Sequence, residues 1–338
     1  MLSSNRKDIV GKGDNVSVDI VKVQSGKQTV FNKKLYNELG SFAGLLLLSF
    51  VFSIATDTFL TVNNLLTVAL QTAAVAMLAM AETYVIITAG IDLSIGSILA
   101  VAGIVCGKTL LAGFGIPLSV LAGVLVGGVC GLANGLAITR LGIAPFIATL
   151  GMMSIARGIA YVITDSLPVS GLPEDFYFIG GGTILGIIPV PVVITIIMAL
   201  LFGFILNKTA FGRYIYALGS NEDAARLSGV NIAKTLNGVY IVSGLLSGLV
   251  GVMLTARLVS AQAQAGIGYE LDAIAAAIIG GTSPLGGSGT ILGTMIGAGI
   301  MGILRNGLNL LSVNAFWQQI AIGLVIIVAV YIDKIRRK

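Results

Sequence analysis

Runs of apolar residues recur along almost the whole chain and are separated by short polar breaks. Each run of about 20 residues is long enough to cross a hydrocarbon layer of ~30 Å as an α-helix. The pattern therefore predicts an all-α, polytopic membrane protein with about ten transmembrane helices. The runs lie near 39–56, 63–87, 94–113, 117–139, 144–163, 187–206, 235–257, 270–282, 289–305 and 314–332.

Two polar stretches stand apart from this pattern. Residues 1–38 are polar and basic, and they lack the early apolar segment of a cleavable signal peptide. We interpret this tail as a solvated basic anchor, with an interaction arm as the alternative. Residues 39–338 would form one transmembrane domain, in which residues 207–234 are a polar loop between the sixth and seventh helices.

Composition and charge support this organisation and add an orientation. Apolar residues make up 56% of the chain and charged residues 10%, about half the charge that a soluble domain needs. With a cytoplasmic N-terminus, 16 of the 20 lysines and arginines fall on the cytoplasmic side. The positive-inside rule then predicts that both termini are cytoplasmic. The net charge of +5 reflects this orientation and does not indicate nucleic-acid binding.

Glycines at a spacing of three or four residues mark the faces where helices meet. A stripe of small residues lets a neighbouring backbone approach closely, so we assign these positions to packing and not to chemistry. The stripes are Gly123, Gly127, Gly131 and Gly135; Gly244, Gly248 and Gly251; and Gly293 and Gly297.

A short motif occurs twice and indicates internal symmetry. NGLAITRLGIAPF (134–146) resembles NGLNLLSVNAF (306–316), and each follows a glycine-rich segment. With ten crossings, the first copy lies at a cytoplasmic end and the second at an outer end. This arrangement predicts two five-helix halves, inverted about an axis in the membrane plane. A match this short also arises by chance.

Residues that carry catalysis or bind metals are scarce. The chain has no histidine, and its two cysteines, Cys106 and Cys130, lie within apolar runs without metal-binding spacing. Phosphate-binding and metalloprotease motifs are absent from the sequence. We therefore predict no catalytic residue, no metal site and no disulfide.

A few polar residues inside the apolar region are candidates for a solute pathway or gate, because ionisable groups in a membrane are costly. Glu82 could line a pathway or pair across helices, and Asp92 could instead cap the following helix. Glu270 and Asp272 open a helix on the outer side, where acids suit the helix dipole. No row of carboxylates follows one helix face, which argues against a proton- or sodium-coupled transporter. The candidates are Glu82, Asp92, Ser94, Arg157, Gln262, Glu270 and Asp272.

The outer loop 164–186 combines carboxylates with aromatic residues. Asp165, Glu174 and Asp175 accompany the run Phe176–Phe178. Such a set suits sugar binding or docking of an outer partner. Interfacial aromatic residues with a polar loop are the alternative.

Within loop 207–234, SNEDAARLSG predicts one short helix. Ser220 or Asn221 would be the N-cap, acids occupy the first turn, and Gly229 ends the helix in the left-handed region. A helix this short is unstable alone, so it must pack against something. Its surface of Ala224, Ala225, Leu227 and Ser228 suits a groove in another protein, and a self-packed loop is the alternative.

Several long motifs, in order, resemble the ribose-type sugar permeases of bacterial ATP-binding-cassette importers. They are VIITAGIDLSIGS, APFIATLGMMSIARG, GRYIYALGSNEDAARLSGVN, GYELDAIAAAIIGGTSPLGGSGTILG and NGLNLL, and the resemblance covers about residues 40–333. It implies a multi-pass protein of the bacterial plasma membrane that works by alternating access, without chemistry on the solute. The ATP and Mg²⁺ would be bound by a partner, so this chain would hold no cofactor and would not be an enzyme.

The resemblance implies three partners: a cytoplasmic ATPase, an outer sugar-binding protein and a second copy of the chain. Loop 281–289 would be a second cytoplasmic contact or a hinge. Ribose is the expected solute, and xylose, autoinducer-2 and branched-chain amino acids are the alternative solutes. A proton-coupled sugar symporter is the alternative class of transporter. The helix that couples to the ATPase would comprise Asn221, Glu222, Asp223, Ala224, Ala225, Arg226, Leu227, Ser228 and Gly229.

Overall fold

The computed structural model describes residues 39–336, and this part of the chain is mostly α-helical. The basic tail lies outside the described residues, so its interpretation stays a prediction. One two-stranded antiparallel hairpin, β1 (Thr183–Ile184) and β2 (Ile188–Pro189), follows the 3₁₀ turn Glu174–Phe176. The helices are α1 (Leu39–Ala55), α2 (Val62–Ile87), α3 (Ile95–Leu111), α4 (Ile116–Leu141), α5 (Pro145–Thr164), α6 (Tyr177–Gly181), α7 (Val190–Lys208), α8 (Ala210–Ser220), α9 (Glu222–Leu227), α10 (Ile232–Leu258), α11 (Tyr269–Ile279), α12 (Ile291–Leu310) and α13 (Ala315–Arg336).

Each of the ten apolar segments coincides with one helix, to within five residues at either end. Six of these helices are long and apolar enough to cross a membrane: α2, α4, α5, α7, α10 and α12. Helix α11 differs most from the expectation. It has 11 residues, which give a length of only about 16 Å, so it cannot cross a hydrocarbon layer alone.

Local signals set the ends of the helices. Prolines stand in the first turn of α4, α5 and α7, where a missing backbone N–H costs nothing. Thr61, Thr209 and Thr290 cap α2, α8 and α12 through their side-chain oxygens.

Glycine contacts hold the centre of the bundle together. A Cβ added to Gly127 of α4 would overlap the carbonyl oxygen of Gly244 in α10, and one added to Gly131 would overlap the carbonyl oxygen of Tyr240. Gly123 and Gly135 also face close neighbours. The assignment of this stripe to packing is confirmed.

The pairs of packed helices follow a two-fold pattern. In the first half, α3 packs on α4, and both pack on α10. In the second half, α11 packs on α12, and both pack on α2. Helices α3, α4 and α10 thus correspond to α11, α12 and α2. Counted among the ten apolar helices, the members of each corresponding pair are five positions apart. The two copies of the repeated motif lie in equivalent places, at the ends of α4 and α12.

Replacing Gly127 by alanine should lower the stability of the bundle by about 1–3 kcal/mol, because the added methyl group overpacks a backbone contact. Gly158→Ala in α5 is the matched control, since no atom lies within 4 Å of its Cβ position and alanine favours helix. Thermal unfolding of both variants in one detergent checks this. Equal shifts of the midpoint would contradict the assigned packing.

Candidate functional site

A buried polar cluster surrounds the link between α2 and α3. Both carboxylate oxygens of Asp92 accept hydrogen bonds: Oδ1 from the backbone N–H and hydroxyl of Ser94 (2.9 and 2.5 Å), and Oδ2 from the hydroxyl of Ser243 (2.8 Å). The amide of Asn134 donates to Ser94 Oγ at 2.9 Å. Asp92 thus joins the start of α3 to α10, and so does more than cap α3, while Ser94 extends the link to α4.

Glu82 lies next to this cluster and is fully buried in the last part of α2. It makes no side-chain hydrogen bond with any residue between 39 and 336. The charges that act on it are those of Asp92 and Glu270. The hydroxyl of Tyr240, also buried, lies beside Gly90 in the same region. The structure therefore brings together three of the candidates, Glu82, Asp92 and Ser94.

The segment between α10 and α11, residues 259–268, is a series of turns. Arg157 of α5 reaches across to it, and its Nη1 donates to the carbonyl oxygens of Ala263 and of Ala265, the latter at 2.8 Å. Gln262 lies in this segment and is exposed. The turns thus depend on a side chain from another helix for two of their backbone bonds.

Glu270 and Asp272 open α11 as expected but face different neighbours. A Cβ on Gly96, in the first turn of α3, would approach a carboxylate oxygen of Glu270 to 2.6 Å. Glu270 therefore lies at the same end of α3 as Asp92. Asp272 is buried and accepts two hydrogen bonds from Arg305 Nη2 of α12, at 2.8 and 2.6 Å.

Helices α8 and α9 follow α7 directly. Asn221 is the N-cap of α9, and its side chain accepts from the N–H of Ala224 at 2.9 Å. Gly229 follows with φ +82°, as its position after the helix predicts. Ala225 is buried against its own chain, whereas Leu227 is 90% exposed. Ala225 is therefore not part of the outward surface that the sequence suggested, because it faces the same side as the packing contacts of α9.

The end of α8 is fixed to loop 281–289 and to the end of α2. A Cβ on Gly219 would overlap the carbonyl oxygen of Ile87, which accepts a hydrogen bond from the N–H of Gly287 at 2.8 Å. Tyr216 donates from its hydroxyl to the carbonyl oxygen of Gly289 at 2.7 Å. Burial raises the pKa of Tyr216 to about 12, so this donor stays protonated at physiological pH. We call these contacts the α8 junction.

The outer loop carries its aromatic residues on two faces. Phe176 is buried, whereas Tyr177 and Phe178 are exposed beside the exposed carboxylates of Glu174 and Asp175.

Sequence reasoning missed four residues that complete these sites. Ser243, Asn134 and Tyr240 are polar residues within apolar runs, so a systematic search for such residues would have found them. Arg305 lies at the end of an apolar run, and nothing in the neighbouring sequence indicates its partner. Its pairing with Asp272 depends on how α11 packs on α12, which no local pattern records.

Comparison with known proteins gives a consistent result over nearly the whole chain. A family model described as "Branched-chain amino acid transport system / permease component" matches residues 64–330. A ribose import permease of Bacillus subtilis is 42% identical over 315 residues, which cover 93% of this chain and 98% of the relative. A ribose import permease of Escherichia coli is 44% identical over 307 residues, covering 90% and 95%. A D-allose transport system permease of Escherichia coli is 41% identical over 321 residues, covering 94% and 98%.

The two ion pairs found among residues 39–336 should differ in their contribution to stability. Asp272→Asn should lower the free energy of unfolding by roughly 1–3 kcal/mol, because it leaves the Arg305 charge without its buried partner. Glu222→Gln should cost less than about 0.5 kcal/mol, because the pair of Glu222 with Arg226 in α9 is exposed on both sides. Denaturation of the two variants in detergent measures both effects. A larger loss for Glu222→Gln would contradict the assignment.

Proposed function

Because this chain belongs to the family of permease components described for branched-chain amino acid transport systems, we propose that it is the membrane subunit of an ATP-driven importer of a monosaccharide, most closely suited to ribose. The observation that carries the sugar assignment is the near full-length similarity to permeases named for ribose and D-allose. The resemblance inferred from the sequence motifs is confirmed by these matches. The chain is accordingly a multi-pass membrane protein and not itself an enzyme.

The finer topology forms part of the proposal. Ten crossings with both termini cytoplasmic place α8, α9 and loop 281–289 on the cytoplasmic side, and loop 164–186 outside. The repeated helix pairs support two inverted five-helix halves, because corresponding helices are five positions apart and so run in opposite directions. In this topology, α11 and the turns before it together take the place of one crossing.

The proposed partners follow from this topology. A cytoplasmic ATPase would bind ATP and Mg²⁺, so this chain would need no cofactor and no metal. An outer sugar-binding protein would deliver the solute to the face that carries loop 164–186, and a second copy of the chain would complete the pathway.

Helix α9 is the proposed contact with the ATPase. Leu227 is the most exposed of its apolar residues, and burying a leucine side chain stabilises a complex by about 1.5–3 kcal/mol. Leu285 in loop 281–289 is 75% exposed, and this loop is joined to α8 at the α8 junction. The two leucines would therefore move together when a partner moves. We propose that α9 and loop 281–289 form one surface for the ATPase.

The alternating-access mechanism needs no chemistry on the sugar. ATP binding would close the partner's nucleotide domains and shift α9, and the α8 junction would pass this motion to the end of α2 and to loop 281–289. Glu82 lies in the last part of α2, and Asp92 and Ser94 lie just beyond its end; this position supports a role for them in gating. Few strong ligands are needed in the pathway, because the binding protein supplies the affinity.

A branched-chain amino acid is the second candidate solute, and the description of the family model favours it. A zwitterion needs fixed charges of both signs along its path. Here the guanidinium of Arg157 donates to backbone carbonyls, and Arg305 is paired with Asp272. Sugars whose permeases are also similar, such as D-allose, remain closer candidates.

Transport in proteoliposomes tests the solute and the energy source. The complex of this chain with its ATPase and its binding protein should take up labelled ribose only with internal ATP on the ATPase side. Unlabelled ribose should compete, D-allose should compete less, and leucine should not. Uptake of leucine, or ribose uptake driven by a proton gradient without the ATPase, would refute the proposal.

Leu227→Asp should reduce ATP-driven uptake about tenfold or more, because it puts a charge where an apolar contact forms. Leu227→Met keeps the volume and apolar character and serves as the matched control, with uptake near that of the wild type. Uptake and co-purification of the ATPase are measured together. If Leu227→Asp retains both, α9 is not the contact.

A further inference from the structure

The turns of residues 259–268 run along α3 within the bundle. At one end, the Cβ of Ala261 lies 3.4 Å from the Cβ position of Gly107. At the other end, the carbonyl oxygen of Gly266 lies against Gly96. Gly96 and Gly107 are 11 residues apart, a distance of about 16 Å along a helix. The segment therefore extends over about half the thickness of a hydrocarbon layer.

One side of this segment is bound to the rest of the protein. Ala261 forms two backbone hydrogen bonds with Val169 (2.9 and 3.0 Å). Arg157 donates hydrogen bonds to the carbonyl groups of Ala263 and Ala265. Irregular backbone at membrane depth is tolerated only where it is buried in protein or lines a water-filled cavity. The hydrogen bonds from Val169 and Arg157 provide partners for the backbone groups of Ala261, Ala263 and Ala265.

The other side carries amides. Ala261, Ala263 and Gly266 are buried, whereas Gln262 and Gln264 between them are exposed. A carboxamide that faces hydrocarbon without a hydrogen-bond partner costs several kcal/mol. Two exposed carboxamides in a segment at this depth favour an aqueous space over a lipid-facing surface.

We infer that Gln262 and Gln264 line the solute pathway, and that their amides exchange hydrogen bonds with the hydroxyl groups of a polyhydroxylated, uncharged solute. The class of the solute rests on the proposed function. The position of the two residues in an aqueous path rests on the geometry of the segment and on the proposed topology. A carboxamide both donates and accepts, as a sugar hydroxyl does, and it adds no charge. Arg157 is a positioning residue, because it holds the backbone from which both amides extend.

The inference fits the short helix that follows. Transporter sites are often formed where a helix is discontinuous and its unwound backbone faces the path. Here α11 is the helical part of such an element, and the turns before it are the unwound part. Gln264 would then be the deeper of the two amides, and Gln262 the one nearer to the bridge with Val169.

Cysteine accessibility tests the inference, since the chain has only two native cysteines. In a Cys106→Ala/Cys130→Ala background, Gln262→Cys and Gln264→Cys are exposed to a charged, membrane-impermeant methanethiosulfonate reagent. The complex of this chain with its ATPase, without the binding protein, is compared in proteoliposomes without nucleotide and with ATP trapped. Both cysteines should react, and the rate for Gln264→Cys should differ about tenfold between the two states, because alternating access opens the path to one side at a time.

Two control variants calibrate the reagent. Ile197→Cys, on the apolar helix α7 and 52% exposed, should not react. Leu185→Cys, in the β1–β2 turn and 90% exposed, should react equally in both states.

Two outcomes would overturn the inference. If Gln264→Cys does not react in either state, the segment faces lipid or a second copy of the chain. If it reacts at one rate in both states, as Leu185→Cys does, the segment is a surface loop. Ribose-loaded binding protein is added in a separate arm. Reaction without protection by ribose leaves the path in place and counts against ribose as the solute, so failures of the two proposals are distinguishable.

Discussion

Direct backbone contact between α4 and α10 is the constraint on which the rest of the structure depends. In a membrane, lipid is as apolar as the helix surfaces, so helices associate through close packing and hydrogen bonds and not through the hydrophobic effect. Gly127 and Gly244 lie so close that neither position has room for a Cβ. This approach draws α10 into the middle of the bundle, where its other faces meet α2 and α3. The same kind of contact recurs between α11 and α12 at Gly280 and Gly293.

Because α10 is central, its polar side chains are buried and need hydrogen-bond partners within the protein. Ser243 donates a hydrogen bond to Asp92, and Asp92 also accepts one from the start of α3. One carboxylate therefore joins the α2–α3 link, α3 and α10. The buried backbone of the turns that follow α10 also needs hydrogen-bond partners, and Arg157 of α5 donates such a bond. The polar groups of the interior are therefore arranged around the helix that the glycine contacts place there.

Much of the fold could be predicted from the sequence, because the apolar runs, the prolines and the glycines act locally. The short helix α9 and its ends were also predictable, since Asn221 and Gly229 occupy cap positions that follow from residue type. The sites were less accessible to such reasoning. That Ala225 faces inward and Leu227 outward depends on how α9 packs on its own chain, and the neighbours of Glu270 depend on turns that no periodic pattern describes. Residues far apart in sequence, such as Asp92 and Ser243, meet only through the packing of whole helices.

The α8 junction has a consequence for how a mechanical load is distributed in the bundle. Gly219, Ile87 and Gly287 belong to three separate stretches of the chain, and their backbones touch without intervening side chains that could bend. Short, stiff contacts of this kind transmit displacement without delay between the parts they join. The end of α2 and the loop before α12 therefore shift as one body. A load applied to α8 therefore reaches two helices of the bundle at once, α2 directly and α12 through the loop that precedes it, and no flexible side chain lies between them to absorb it.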